Sequence, residues 1–469
     1  MDLCELTIFQ AHEGLAKKRF SSLELVKSVL SRIEKIDKSV KAYVTVDREG
    51  AIESAKEADK LLEKNKDNPL LGIPFSLKDN ICTKNLKTTA SSNVLKDYIP
   101  PYDATVASKL KEKGAIIIGK TNMDAWAHGS STETSDFFTT RNPWDLGKLP
   151  GGSSGGSAAT VIADMTIGSI GTETAGSIRQ PASWCGVVGF KPTYGRVSRY
   201  GIISMGSSLD SPGPITKTVE DAALVLSAIA GYDCFDATSS PKQTEKYFHN
   251  LRRKKRNLKI GIAKKYFEIC DRNVQDKVFQ ALKVFQKNGA IISEVELIDP
   301  QYAICVYTIL QRAEVSSNLA RYDGIRYGET RDKFGEEAKR RIMLGTYALS
   351  TGYYDALYLK AQQIRTMIVR DFERIFKEVD VILGPTTPCT ALPLGSSRTS
   401  PMFGEVQDVL VEPSTIAGLP GISISCGFSE GLPVGMQIIG PQFGESLILE
   451  VAYLYQQVTE WYKVKPKIK

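Results

Sequence analysis

Apolar positions follow two periods along this chain, one of the helix and one of the strand. From Ser21 to Val40, residues Leu23, Val26, Val29, Leu30 and Ile33 recur on one stripe, and Ser21 stands three residues before Glu24 as in a capping box, so the pattern predicts an amphipathic helix over 21–40. The run LGIPFSL (71–77) is a short strand that stops at Lys78. Residues 103–114 read as a helix with Asp103 as N-cap and Gly114 as its stop, followed by a buried strand over 115–119. Helical periods return over 157–164 and 218–231, with an extended stretch over 165–171 between them. Strand, helix and strand follow within 258–297, then strands at 379–385, 421–427 and 434–440, and a last helix over 445–458. Such alternation predicts an α/β protein with helices on both faces of a sheet.

The chain has 469 residues, 42% hydrophobic and 24% charged, enough apolar material for one large domain or two. Its densest Gly/Ser run, GGSSGGSAAT (151–160), has the composition of a linker, but predicted elements resume directly on both sides, which places it inside a domain. The net charge of +7 is modest, and its basic excess gathers in runs at 252–256 and 463–469, which read as a solvated loop and tail rather than a nucleic-acid surface. Eight scattered cysteines without a CxxC pair indicate neither a zinc site nor a disulfide framework. No apolar run approaches the ~20 residues of a membrane span, and the opening has no basic segment followed by an apolar one. A soluble protein of a reducing compartment, the cytoplasm, is the expectation.

Two formal motifs compete for the chemistry. GAIIIGKT (114–121) fits a Walker A pattern, but a phosphate cradle needs a loop where this chain has the strand-like Ala-Ile-Ile-Ile, so Lys120 reads as a strand lysine. The Gly/Ser run contains G-x-S-x-G twice, centred on Ser153 and on Ser154, the pattern of a nucleophile elbow. A serine needs a base, and the three histidines, His12, His128 and His249, all lie too early to complete that triad, whose histidine follows late in the chain. A buried lysine can replace histidine because burial disfavours the ammonium form, and Lys78, at the end of an apolar strand, is the candidate. In TETAGSIR (172–179), Ser177 follows small residues whose backbone N–H groups can converge as an oxyanion hole.

Taken together, PGGSSGGSA, the 24 residues from Ser153 to Ser177, GSIRQPASWCGVVGFKPTYGRVSRYG and the upstream GIPFSLKDNI resemble the amidase signature family. The resemblance implies one amidase domain over 1–469: a helical segment over about 1–65 packed on a catalytic core over about 66–460, with a large mixed sheet covered by helices and a short basic tail. It implies that Ser177 attacks, Ser153 bridges and Lys78 is the base, with a cis peptide at Gly152–Ser153 and an oxyanion hole from the backbone of Thr174, Ala175 and Gly176. GKTNMDAWAHGSSTETS, NLARYDGIRYG, RRIMLGTYALSTGYYDA, ILGPTTP and GLPVGMQIIGPQF are similar, within that family, to the glutaminase subunits of tRNA-dependent amidotransferases. That likeness implies glutamine as substrate, with Arg341 for its carboxylate, Asp408 for its ammonium and Tyr307 on its side chain. It also implies B and C partner subunits, Glu-tRNA(Gln) served through the complex, and ATP with Mg²⁺ in the partner's reaction, with no metal or cofactor in this chain.

The chain departs from its family in places. It has Glu173-Thr174-Ala175-Gly176-Ser177 where Asp-Thr-Gly-Gly-Ser is common, so a positive φ at Ala175 would strain the oxyanion loop, and it has His128 where methionine often stands. The link between Tyr327 and Phe334 is shorter than the family's, which bears on partner contacts. Two alternatives stay open at this point: a free-standing amidase of small amides, and a non-catalytic scaffold.

Overall fold

The computed structural model describes residues 2–253, 257–325, 329–400 and 402–468. Its strands are β1 (Tyr43–Val46), β2 (Pro74–Lys78), β3 (Ile116–Thr121), β4 (Gly168–Glu173), β5 (Val188–Lys191), β6 (Ser211–Thr216), β7 (Lys259–Ile262), β8 (Ile291–Glu294), β9 (Val381–Pro385), β10 (Gly421–Ser429) and β11 (Leu432–Ile439). They form one mixed sheet of 11 strands in the order β1-β3-β2-β4-β6-β5-β10-β11-β9-β7-β8. β2 runs parallel to both β3 and β4, β7 runs parallel to β8 and β9, and the middle of the sheet is antiparallel. Every residue of β2, β3, β4, β6, β9 and β11 is buried, which requires cover on both faces and explains why most of these strands read as continuous apolar runs.

Helix α1 (Ser22–Val40) forms where the periodicity placed it, and its capping box is closed in both directions: Glu24 N–H donates to Ser21 Oγ at 3.1 Å and Ser21 N–H to Glu24 Oε2 at 2.7 Å. The helix expected from Asp103 starts later, at Thr105 behind Ala104, with no side-chain cap. Asp103 has other partners: its carboxylate accepts from Lys84 N–H and Lys111 Nζ, each at 2.8 Å. Residues 116–121 are β3, and buried Lys120 donates to Ile81 O and to Thr88 Oγ1, so the Walker-like stretch holds no phosphate loop. The Gly/Ser run leads into α2 (Gly155–Ile162), and α3 (Arg179–Cys185) follows β4. Past β8 come α4 (Gln301–Asn318), α5 (Glu336–Ala348) and α6 (Lys360–Ile375), none resolved by the pattern of apolar positions, then the short α7 (Phe403–Asp408) and α8 (Glu412–Ile416).

All eight cysteines are free; Cys234 and Cys305 are exposed, and Cys4, Cys82, Cys185, Cys270 and Cys426 are buried. Arg252 and Arg253 are exposed, while the rest of that basic run, 254–256, lies outside the described residues, as does Tyr327 at the start of the shortened link. In the basic tail Lys465 pairs with Asp164 at 2.6 Å. Among the described residues no helix is long and apolar enough to cross a membrane, and no cluster of His, Cys, Asp or Glu could hold a metal ion.

Candidate active site

Lys78 is the last residue of β2, between β3 and β4, and is fully buried. Its Nζ lies 2.7 Å from Ser153 Oγ and donates to Thr172 O at 3.0 Å. Burial pushes the ammonium down to about 7, against the pull of Asp124, Asp210 and Glu173. The Gly152–Ser153 peptide is cis. Gly152 is required there because a Cβ would run into the Asp124 carboxylate and come within 2.5 Å of Ser131 N.

The second G-x-S-x-G serine is held by the backbone. Ser154 N–H donates to Ser177 O at 3.2 Å, its hydroxyl donates to Thr172 O at 3.1 Å, and Thr172 N–H approaches the same hydroxyl at 3.3 Å. Ser154 therefore ties the Gly/Ser run to β4, and the hydroxyl that meets the Lys78 amine is that of Ser153. Ser177 is 4% exposed and does not cap α3, whose N-cap is Ile178.

A buried ion pair shapes the loop before Ser177. Arg179 Nη2 lies 2.7 Å from Glu173 Oε1, while Glu173 Oε2 accepts the N–H groups of Ile178 and Arg179 at 3.0 Å, two orphan donors at the start of α3. Arg179 reaches on to Val411 O at 2.9 Å, Thr415 Oγ1 at 2.8 Å, Ser414 Oγ at 2.9 Å and Gln437 Oε1 at 2.8 Å, which fastens the loop to α8 and β11. Thr415 Oγ1 also donates to Ala175 O at 2.6 Å. Because a trans peptide is planar with C=O and N–H opposed, this turns the N–H of Gly176 to the other side. The described hydrogen bonds give the N–H groups of Ala175, Gly176 and Ser177 no acceptor within the chain. Ala175 has no positive φ, so the alanine carries no left-handed strain. Gly176 is the position that tolerates no side chain: a Cβ would lie 2.5 Å from both Asp408 Oδ1 and Val411 Cγ2.

That contact places Asp408 against the Ser177 loop. Asp408 Oδ2 accepts from Ser130 Oγ at 2.7 Å, Oδ1 is buried with no partner among the described residues, and burial, reinforced by Glu173 and Glu405, raises its pKa well above the usual carboxylate range. Arg341 on α5 is 4% exposed; its Nε pairs with Glu337 at 2.6 Å and its Nη1 donates to Gln311 Oε1 at 2.7 Å. Burial works against the guanidinium, but Glu337, Tyr307 and Glu405 outweigh it and hold it charged. Tyr307 on α4 is buried, and its pKa is raised well above normal by burial, with Arg341, Glu412, Asp408 and Glu405 as its electrostatic neighbours. The structure thus brings Arg341, Tyr307 and Asp408 into one buried cluster beside the serine loop.

The amidase family model matches residues 24–449. The chain is 50% identical to the A subunit of the glutamyl-tRNA(Gln) amidotransferase of Halothermothrix orenii over the full length of both, and 49% identical to that of Thermoanaerobacter pseudethanolicus over 100% of this chain and 99% of the relative. The chain belongs to the amidase family. In fold the amidase resembles the A subunit of the Thermotoga maritima glutamyl-tRNA(Gln) amidotransferase, with a TM-score of 0.85 at 38% identity over 100% of this chain and 99% of that one. It also resembles the peptide amidase of Stenotrophomonas maltophilia, with a TM-score of 0.85 at 28% identity over 99% and 98% of the two chains.

Motif reading passed over several groups in the amidase's site. Arg312 on α4 pairs with Glu405 at 2.8 Å; among the described residues its Nε, Gln311 Nε2 and both oxygens of fully buried Glu412 lack partners. Tyr307 and Gln311 are four apart on α4, so helix periodicity carried onward from Tyr307 would have found Gln311. Arg312 and Glu412 carry no such signal.

Proposed function

We propose that this amidase is the glutamine-hydrolysing subunit of a tRNA-dependent amidotransferase. The observation that carries the reading is the polarity of the buried cluster. The cluster holds the charged Arg341 with donors of Gln311 and Arg312 that lack partners among the described residues, and, against the loop of Ser177, Asp408 Oδ1, which lacks one likewise. A zwitterionic amino acid pairs with both, carboxylate to Arg341 and ammonium to Asp408, whereas a simple amide leaves both buried groups without partners.

In this reading Ser177 Oγ attacks the glutamine γ-carbonyl carbon, its proton passing through Ser153 to Lys78. The carbonyl oxygen becomes an oxyanion received by the free N–H groups of the 174–177 loop. As the C–N bond breaks, the proton returns to the leaving nitrogen, ammonia departs, and a glutamyl ester remains on Ser177. Water, deprotonated by the same relay, hydrolyses the ester to glutamate. The ammonia passes to a B subunit, which with C forms the complex and uses ATP and Mg²⁺ to amidate Glu-tRNA(Gln).

The test is amidation of Glu-tRNA(Gln) with and without the partner subunits. Ser177→Ala abolishes glutamine-dependent product while added ammonium chloride still supports it. Full turnover of simple amides by the isolated chain, with no glutamine-dependent tRNA amidation in the presence of partners, would refute the reading and make the protein a free-standing amidase.

A further inference from the structure

In the loop 124–134, His128 is 1% exposed and both its ring nitrogens lack partners among the described residues, as does Nε1 of buried Trp126. The loop itself is firmly held. Asp124 accepts from Ser131 N–H at 3.1 Å and Thr134 Oγ1 at 2.9 Å, and Trp126 packs against Tyr322 and Phe334 with ring centroids 4.9 and 5.3 Å away. Trp126 and Ala127 take left-handed φ of 60° and 64°, a path ordinary residues keep only where surrounding contacts fix it. At His128 both backbone groups are engaged, N–H to Ala125 O at 3.0 Å and C=O from Thr134 Oγ1 at 3.0 Å. Two residues on, Ser130 grips Asp408. The backbone at His128 is therefore held, two residues from the Ser130–Asp408 bond, and the buried ring has no partner among the described residues.

Its charged neighbours set its protonation. Burial, reinforced by Arg341 and Arg312, holds the imidazole well below its ordinary pKa, so it is neutral with one N–H to donate. Arg341 gives Nε to Glu337 and Nη1 to Gln311, and Arg312 gives Nη2 to Glu405 and Nη1 to Thr308 O, while Arg312 Nε has no partner among the described residues. A carboxylate arriving at Arg341 has lone pairs to spare, and a buried N–H that stays unpaired in the free enzyme gains its partner on binding.

We propose that His128 is a substrate-contacting specificity residue that donates its ring N–H to the α-carboxylate of glutamine bound at Arg341. The assignment rests on the glutamine reading above and adds to it a contact that a methionine in place of His128 cannot make. A bond formed on binding and kept through the reaction changes affinity and leaves turnover alone.

The experiment measures glutaminase kinetics of the assembled complex with wild type, His128→Met and His128→Gln. The substrates are L-glutamine and 4-aminobutanamide, which is glutamine without its carboxylate. For His128→Met the expected result is a rise of about tenfold in KM for glutamine with kcat unchanged, and no rise for 4-aminobutanamide. His128→Gln, which keeps an N–H donor, recovers part of the loss. An unchanged KM for glutamine in both variants overturns the assignment, and so does an equal rise for both substrates, which would mark a packing role. A wild-type complex that turns over 4-aminobutanamide but not glutamine refutes the functional reading itself, and this assignment with it.

Discussion

Replacing Lys78 by arginine separates a base from a positive charge. At pH 7 a lysine of ordinary pKa 10.5 is neutral in about 3 molecules in 10,000; the buried Lys78, brought down to about 7, is neutral in about half, a gain of roughly 10³ in available base. In the proposed relay the proton passes through Ser153, 2.7 Å away, so the pKa such a profile reports belongs to the coupled Lys78–Ser153–Ser177 unit rather than to one residue. The expected profile of kcat/KM against pH rises with unit slope below about 7 and levels off above it. Lys78→Arg stays protonated throughout that range, so its kcat falls by about 10³ or more while glutamine binding, measured by calorimetry, is retained. The same shift has a stability consequence whose sign is fixed. Between about 7 and 10.5 the unfolded chain binds a proton at this lysine that the folded chain does not, so folding stability rises with pH across that window. At pH 7 the base costs about 4 kcal/mol of stability relative to a lysine of ordinary pKa, a penalty that fades towards pH 10. Turnover near wild type in Lys78→Arg, or a kcat/KM flat from pH 5.5 to 8.5, would refute the relay.

Other substitutions probe separate parts of the site. Ser153→Ala removes the bridge to Lys78 and abolishes glutaminase activity, whereas Ser154→Ala loses only its bonds to the Thr172 backbone and keeps measurable turnover with a lowered Tm; the reverse order of activities would show that the relay runs through Ser154. Arg341→Ala leaves the substrate carboxylate without its cation, a loss on the order of 2–4 kcal/mol that appears as a KM about 30- to 1,000-fold higher; an unchanged KM would assign that role to another group such as Arg312. Arg179→Met strands the Glu173 carboxylate in the interior at a cost of about 3–5 kcal/mol, read as a large fall in denaturation midpoint, and Glu173→Gln with Arg179→Met together cost less than Arg179→Met alone. A double variant no more stable than the single one would show that the pair is not coupled.

Part of the sheet was legible in the order of residues because strands buried on both faces leave continuous apolar runs, as where 379–385 and 434–440 contain or overlap β9 and β11; 258–297 also yields β7, a helix and β8, although β8 is a largely exposed edge strand. α1 was legible to its cap, because a capping box is a contact between residues three apart. β1, β5 and β6 escaped the pattern; β6 is Ser-Pro-Gly-Pro-Ile-Thr, and only pairing with β4 and β5 makes a strand of it. The same division runs through the site. Ser153, Ser177 and Lys78 were singled out from short strings and the family resemblance; that Lys78 meets Ser153 rather than Ser154 depends physically on the path of the backbone between β2 and β4.

By itself the sequence determined part of the alternation of elements, those buried strands that are apolar runs, and the short strings that carry the serines and the lysine, since these depend on periods and spacings within a few residues. Tertiary structure alone decided what those residues experience. Lys78 is a weak acid near neutrality because three strands and the Gly/Ser run exclude water from it, and a strand-end lysine in solvent would be an ordinary cation. Arg341, in a run of basic residues on α5, reads locally as a surface residue; it is buried because α4 packs against α5 and presents Gln311 to it. Asp408 meets the Ser177 loop across more than 230 residues of chain, because Gly176 has no side chain to keep it away. Desolvation and contact between distant segments belong to the packed chain, and no local pattern of residues encodes them.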